Sequence, residues 1–189
     1  MKQLSFSKKT LFTIVGSLSI IVIFASSTSF ATIFSGGRSS ANFNAYYDSS
    51  VASYGYTSHY DTARADWNAA SSKVNIGKTT STSGNPDKYY VGTTSNEGLL
   101  GVHTPYNSSG QNVNNSDTWA YSTVAIYHNQ MNDFSMTTPE RVSTATHEVG
   151  HSLSQAHPET SQNSVMKSGI QSFGVQTWDK QSLIAKWGN

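Results

Sequence analysis

The chain has 189 residues and no cysteine, which excludes disulfides and thiolate zinc sites. Charged residues make up only 12%, against about 25% in an average soluble protein, and 32 serines and 20 threonines fill much of the difference. A formal net charge of +1 argues against a nucleic-acid partner held through its phosphates, and 36% hydrophobic with 12% aromatic residues excludes a disordered chain.

The first 31 residues read as a secretory signal. Lys2, Lys8 and Lys9 precede an apolar run over 11–24, and small residues flank Phe30 at Ser29 and Ala31. The run is short of the roughly 20 residues that span a bilayer. The expectation is cleavage near Ala31, export, and membrane contact only during that export. The alternative is an uncleaved anchor that keeps the protein on the cell surface. Removing 1–31 leaves 9 basic against 11 acidic residues, a charge of −2 on a chain long enough for one core without staples.

Residues 32–41 are rich in Gly and Ser and suggest a flexible lead-in to a single domain over 42–189. Alternation at Phe43, Ala45 and Tyr47 predicts a strand. Tyr60, Ala63, Trp67, Ala70 and Val74 recur at spacings of three and four, predicting a helix over 58–72 with Ser58 and Asp61 closing its start. Strands are expected near 73–79, 88–93, 98–104 and 118–128. Turn formers separate them at 83–86, and 107–117 is the longest loop. Thr138, Pro139 and Glu140 make a helix start with a hydroxyl cap, an early proline and an acid in the first turn, and the helix should run to about 153. A last helix is expected over 177–186, with Trp178, Leu183 and Trp187 available for packing. The sum is an α+β domain of about five strands and three helices.

The chemistry concentrates in the helix over 138–153. His147-Glu148-Val149-Gly150-His151 puts two imidazoles one turn apart, leaving the same face about 6 Å from each other. Both can reach one zinc at about 2.0–2.1 Å, and Glu148 can stand beside the metal's water without being a ligand. A third imidazole, His157, would lie about 15 Å along the axis if the helix continued, so sharing the metal requires the chain to turn off after His151. Pro158 favours that, because the residue before a proline is pushed out of helical geometry. Met166 follows in a loop-like stretch.

The run from His147 through Glu148 and His151 to His157, followed by Met166, resembles the metzincin zinc endopeptidases, and among them the matrixin-like branch. The resemblance implies a metzincin-like catalytic domain around a twisted mixed sheet. It implies one catalytic Zn2+ on His147, His151 and His157, Glu148 as the catalytic base, and Met166 as the floor beneath the metal. It also places an extended substrate along the strand containing Gly98, Leu99, Leu100 and Gly101, with 167–176 walling the pocket for the residue after the cleaved bond. Ser154 stands where the family has a turn glycine, which would cost about 1 kcal/mol if the chain reverses at positive φ. No tyrosine soon after Met166 supports a fifth ligand, and the lack of cysteine excludes a cysteine-switch propeptide.

The expected function is that of a secreted, monomeric zinc endopeptidase acting on protein or peptide. The alternative is a catalytically weak, zinc-stabilised binding or adhesion domain, for which Ser154 is the ground. Carboxylates are too scarce to name calcium ligands. His59, His103 and His128 are isolated in sequence and read as ordinary surface or core histidines.

Overall fold

The structure, a computed structural model, describes residues 33–159 and 162–189. The expected signal segment lies outside the described residues, and no helix among them is long and apolar enough to cross a membrane. The elements in order are β1 (Asn42–Tyr47), α1 (Ser49–Ser53), α2 (Thr57–Ala70), β2 (Asn75–Thr79), β3 (Asp87–Gly92), β4 (Gly101–Tyr106), β5 (Tyr121–Tyr127), α3 (His128–Asp133), α4 (Thr138–Ser152) and α5 (Thr177–Trp187). The fold is α+β, with five strands in a single mixed sheet of order β2-β1-β3-β5-β4. Four strands run parallel, while β4 is antiparallel to β5 and closes one edge.

Alternation builds the sheet's buried face. Phe43 and Ala45 of β1, Tyr89 and Val91 of β3, and Val124 and Ile126 of β5 all turn inward. The periodic residues of α2 do the same: Tyr60, Ala63, Trp67 and Ala70 are buried, as is Val74 just beyond. Helix α2 packs on α4 and against β2, while α4 lies over β4 and β5. The Trp67 indole donates to the Thr146 carbonyl at 2.8 Å, fixing the two helices in register.

Five helices form rather than three. The additional α1 and α3 are five and six residues long, too short to carry a periodic signal. Asp48 caps α1 by accepting from Ser50 N–H at 2.9 Å. Two expected caps also move. Ser58 and Asp61 do not close α2; Asp61 instead pairs with Arg64 and accepts from the Tyr47 hydroxyl. On α4 the capping hydroxyl belongs to Thr137, whose N–H and Oγ1 both donate to Glu140 at 2.7 Å.

The segment expected to be a flexible lead-in is instead docked. Ile33 bridges to Gln155, and Phe34 N–H donates to the Ser154 carbonyl at 2.9 Å. Gly36 and Gly37 donate to the carbonyls of Asn115 and Asp117, and Arg38 reaches the buried Asp87 carboxylate at 2.6 Å. Gly/Ser composition registers backbone freedom, whereas what holds this segment is backbone hydrogen bonding, the Arg38 guanidinium and the Lys186 ammonium on the Gly36 carbonyl.

Candidate metal centre

The capped start of α4 sets the phase of everything after it. His147, Glu148 and His151 come from its last turns, and Leu153 ends it. The chain then reverses. Ser154 adopts φ +64°, the left-handed region that favours glycine, so the turn expected at this position is made by a serine. Backbone bonds from Leu153 and Gln155 to the Gly150 carbonyl, and from Ser154 to His151, tie it. The Trp187 indole of α5 donates to the Leu153 carbonyl at 2.9 Å from outside.

This reversal carries His157 back to the helix. The Nε2 atoms of His147 and His157 are 3.0 Å apart, and those of His151 and His147 are 3.1 Å apart. One ligand atom from each of the three residues falls within 4.8 Å of the others. Each ring is held from behind through Nδ1. The Val165 carbonyl accepts from His147 at 2.8 Å, the Gln155 carbonyl accepts from His151 at 2.7 Å, and Ser168 Oγ stands 3.2 Å from His157 Nδ1. A proton on Nδ1 leaves Nε2 with a bare lone pair. Two such lone pairs facing each other at 3.1 Å repel, so the contact is not a hydrogen bond between neutral rings.

A proton or a cation between the nitrogens relieves that repulsion, and the protein disfavours the proton. Burial draws the His147 imidazole down to about 4, and carries His151 well below the usual histidine range, with the charges of His147 and His103 adding to the effect. Burial lowers the His157 imidazole as well. Neutral imidazoles with their outer nitrogens satisfied are the form in which histidine binds a metal. The separations of 3.0–3.1 Å approach the ~3.3 Å expected of two nitrogens at 2.0–2.1 Å from one tetrahedral ion.

Glu148 is buried at 6% exposure and forms no hydrogen bond with another described residue; burial pushes its carboxyl up to about 8. It lies against β4, where a β-carbon on Gly101 would come within 2.6 Å of its Cγ. Gly101 therefore admits the glutamate side chain. Gly98 lies in a turn and Leu99 and Leu100 lead from it into β4, with the Leu100 carbonyl accepting from Tyr127 N–H at 2.8 Å. All four line a cleft of about 550 Å³ that also holds the three histidines and Glu148.

Met166 is fully buried and, with Trp67, presses against the bare α-carbon of Gly150, directly below the histidine-bearing turn of α4. The turn containing it is fixed from α5. Asp179 accepts from the Ser164 hydroxyl, from Val165 N–H at 2.9 Å and from Gln176 N–H at 2.9 Å. Since Val165 also orients His147, Asp179 is a positioning residue for the site. Sequence reasoning missed it, and its place in the first turn of α5 was the available signal. His103 was missed too. Its ring centroid lies 5.9 Å from that of His151, its Nε2 is 2.8 Å from Ser122 Oγ, and burial, then the Arg38 charge, draws it down to about 3. His59 and His128 lie away from the site, both against Tyr56.

No family profile matches the chain, and no curated protein matches it. Among solved structures, a chain of the one titled "GM1 bound form of the ECX AB5 holotoxin" is similar, with TM-score 0.51 at 14% identity over 77% of this chain and 80% of that chain. The likeness is one of fold.

Proposed function

We propose that the protein is a secreted zinc-dependent endopeptidase of the metzincin class, matrixin-like, acting on peptide or protein as a monomer. The observation that carries this reading is the convergence of three neutral, outwardly anchored imidazoles beside a buried glutamate with no partner. Three nitrogen donors with an open fourth position suit a catalytic zinc better than a closed structural one. Zinc supplies Lewis acidity for the carbonyl, a water of lowered pKa, and a positive charge that favours ionised Glu148.

The chain's own residues do the rest. Among the named strands β4 pairs with β5 alone, and although Pro105 and Tyr106 at its end are bridged by Asn112 and Val113, the outer edge over 101–103 is open to an extended peptide as an added strand. That edge lays the scissile bond over Glu148, which abuts Gly101 at its start. Glu148 accepts the proton of the attacking water and passes it to the leaving amine. Ser143, Thr144, Val165, Gly169 and Gln171 wall one end of the cleft and receive the side chain after the cleaved bond. Ser154, the ground for a non-enzymatic zinc-stabilised domain, does not open the turn that returns His157.

The test is incubation of purified protein with casein and a peptide library, with zinc and with a chelator. Chelator-sensitive cleavage by the wild type, lost in a Glu148→Ala variant that still binds zinc, is the expected result. Zinc binding without cleavage favours the binding-domain reading. Export is tested by the mature N-terminus from mass spectrometry, expected near Thr32.

A further inference from the structure

The cleft has a second end, and the residue that shapes it comes from the segment preceding the sheet. Ser143 and Thr144 lie one turn before His147, so the pocket they wall is on one side of the three histidines. On the other side, one turn later, His151 meets Phe34. The two rings stack at 5.5 Å and 24°, and Phe34 also stacks on His103 at 6.5 Å and meets Trp119 edge-on at 6.5 Å. Phe34 is only half-buried and lines the cleft together with His103 and Asn115.

The ring is rigidly carried. Phe34 N–H donates to Ser154, Gly36 and Gly37 are bonded to Asn115 and Asp117, Lys186 Nζ donates to the Gly36 carbonyl at 3.1 Å, and Arg38 is paired with Asp87. A fixed, half-exposed aromatic surface at the mouth of a site holds flat apolar groups at little ordering cost. Apart from the histidines and Glu148, no acidic or basic side chain lines the cleft among the described residues.

We propose that Phe34 is a specificity-determining residue that selects the substrate side chain before the cleaved bond, favouring aromatic and large apolar residues there. The inference rests on the peptidase reading above, which gives the Ser143–Gln171 end of the cleft to the residue after the bond. Phe34 touches the substrate, and Arg38 acts only by holding the segment in place.

The experiment profiles zinc-loaded wild type and Phe34→Ala on a peptide library varied at the positions before and after the bond. The wild type should prefer Phe, Tyr or Leu over Ala before the bond, and Phe34→Ala should shrink that preference by about three- to ten-fold. Preference after the bond should not change. Calorimetry on Glu148→Gln supplies a readout without turnover: Phe34→Ala should weaken a peptide with Phe before the bond by a similar factor and leave its Ala counterpart unaffected. Phe34→Leu, which keeps an apolar surface, should recover part of both effects. Unchanged preference in Phe34→Ala, or equal loss at both positions, overturns the inference while leaving the peptidase reading intact. A wild type that cleaves no peptide overturns both.

Discussion

Three carboxylates are buried among the described residues, and they live differently. Asp179, behind the histidine cluster, accepts from one hydroxyl and two backbone N–H groups, and Asp87, at the start of β3, accepts from Arg38 and from Ser122 N–H at 2.8 Å. Glu148, beside the histidine cluster, accepts from nothing among the described residues. Buried polar groups are ordinarily satisfied because desolvation without a partner is costly. An acid with partners in place is held in position, as Asp179 and the Oδ1 of Asp87 are, although Asp87 Oδ2 has none. One left without partners keeps its lone pairs for a water or a substrate. The contrast separates the two acids that hold the architecture from the one the architecture holds open.

The largest effect should come from the unpartnered acid. Glu148→Gln should lower peptide cleavage by roughly 10²- to 10⁴-fold, the usual range for a general base. Zinc content by metal analysis should be unchanged and thermal stability not reduced, because no native hydrogen bond is lost. A fall in stability would mean that Glu148 is structural after all.

Next comes Arg38→Ala, which strands Asp87. Breaking a buried pair by removing one partner costs about 3–5 kcal/mol, or roughly 10 °C in a domain of this size. Asp87 already sits above the ordinary carboxylate range because burial outweighs the guanidinium. Loss of Arg38 raises it further. A carboxyl whose folded pKa exceeds its unfolded value contributes stability at low pH and loses it as pH rises through the folded value. The deficit of the variant, measured by denaturant unfolding, should therefore be smallest below the raised folded value of Asp87 and grow as pH rises through it. A deficit independent of pH would show that Asp87 is not the group left stranded.

Asp179→Asn is the milder test of a saturated acid. The amide keeps one acceptor for the Val165 and Gln176 N–H groups and loses charge, at about 1–2 kcal/mol. Because Val165 orients His147, zinc affinity should fall about tenfold, the lower end for an outer-sphere partner of a metal ligand. Competition with a chromophoric chelator measures it. Lost stability with unaltered zinc affinity would confine Asp179 to the fold.

What the sequence disclosed follows the range of the forces involved. Residues that repeat locally were legible: the buried stripe of α2, the alternation in β1, and the histidine pair on α4 are all set by one element's own period. The number of strands and the α+β class followed from that. The caps shifted by one residue at Thr137, because neighbouring threonines offer the same hydroxyl. Partnerships across long separations left no local trace: Arg38 with Asp87, Phe34 with His151, Asp179 with Val165, and His103 beside the site. So the convergence of the three histidines could be read from 147–157, while the residues that hold and border them could not.

Ser154 tests whether every unpartnered buried group signals function. Its Oγ is buried without a hydrogen-bond partner, as Glu148 is, yet it points away from the cleft, towards Gly37. A side chain on Gly37 would collide with that oxygen, so the docked segment is shaped around the serine. The residue also holds φ +64°, a strain of roughly 1 kcal/mol for a residue with a β-carbon. Replacing it with glycine removes both penalties, offset in part by the greater freedom glycine gives the unfolded chain. Ser154→Gly should therefore stabilise by up to about 1 kcal/mol, a rise of about 2–4 °C by calorimetry, with zinc affinity unchanged. A drop in stability or in zinc binding would mean that the hydroxyl takes a partner of its own, and that the serine is part of the centre rather than a tolerated departure from glycine.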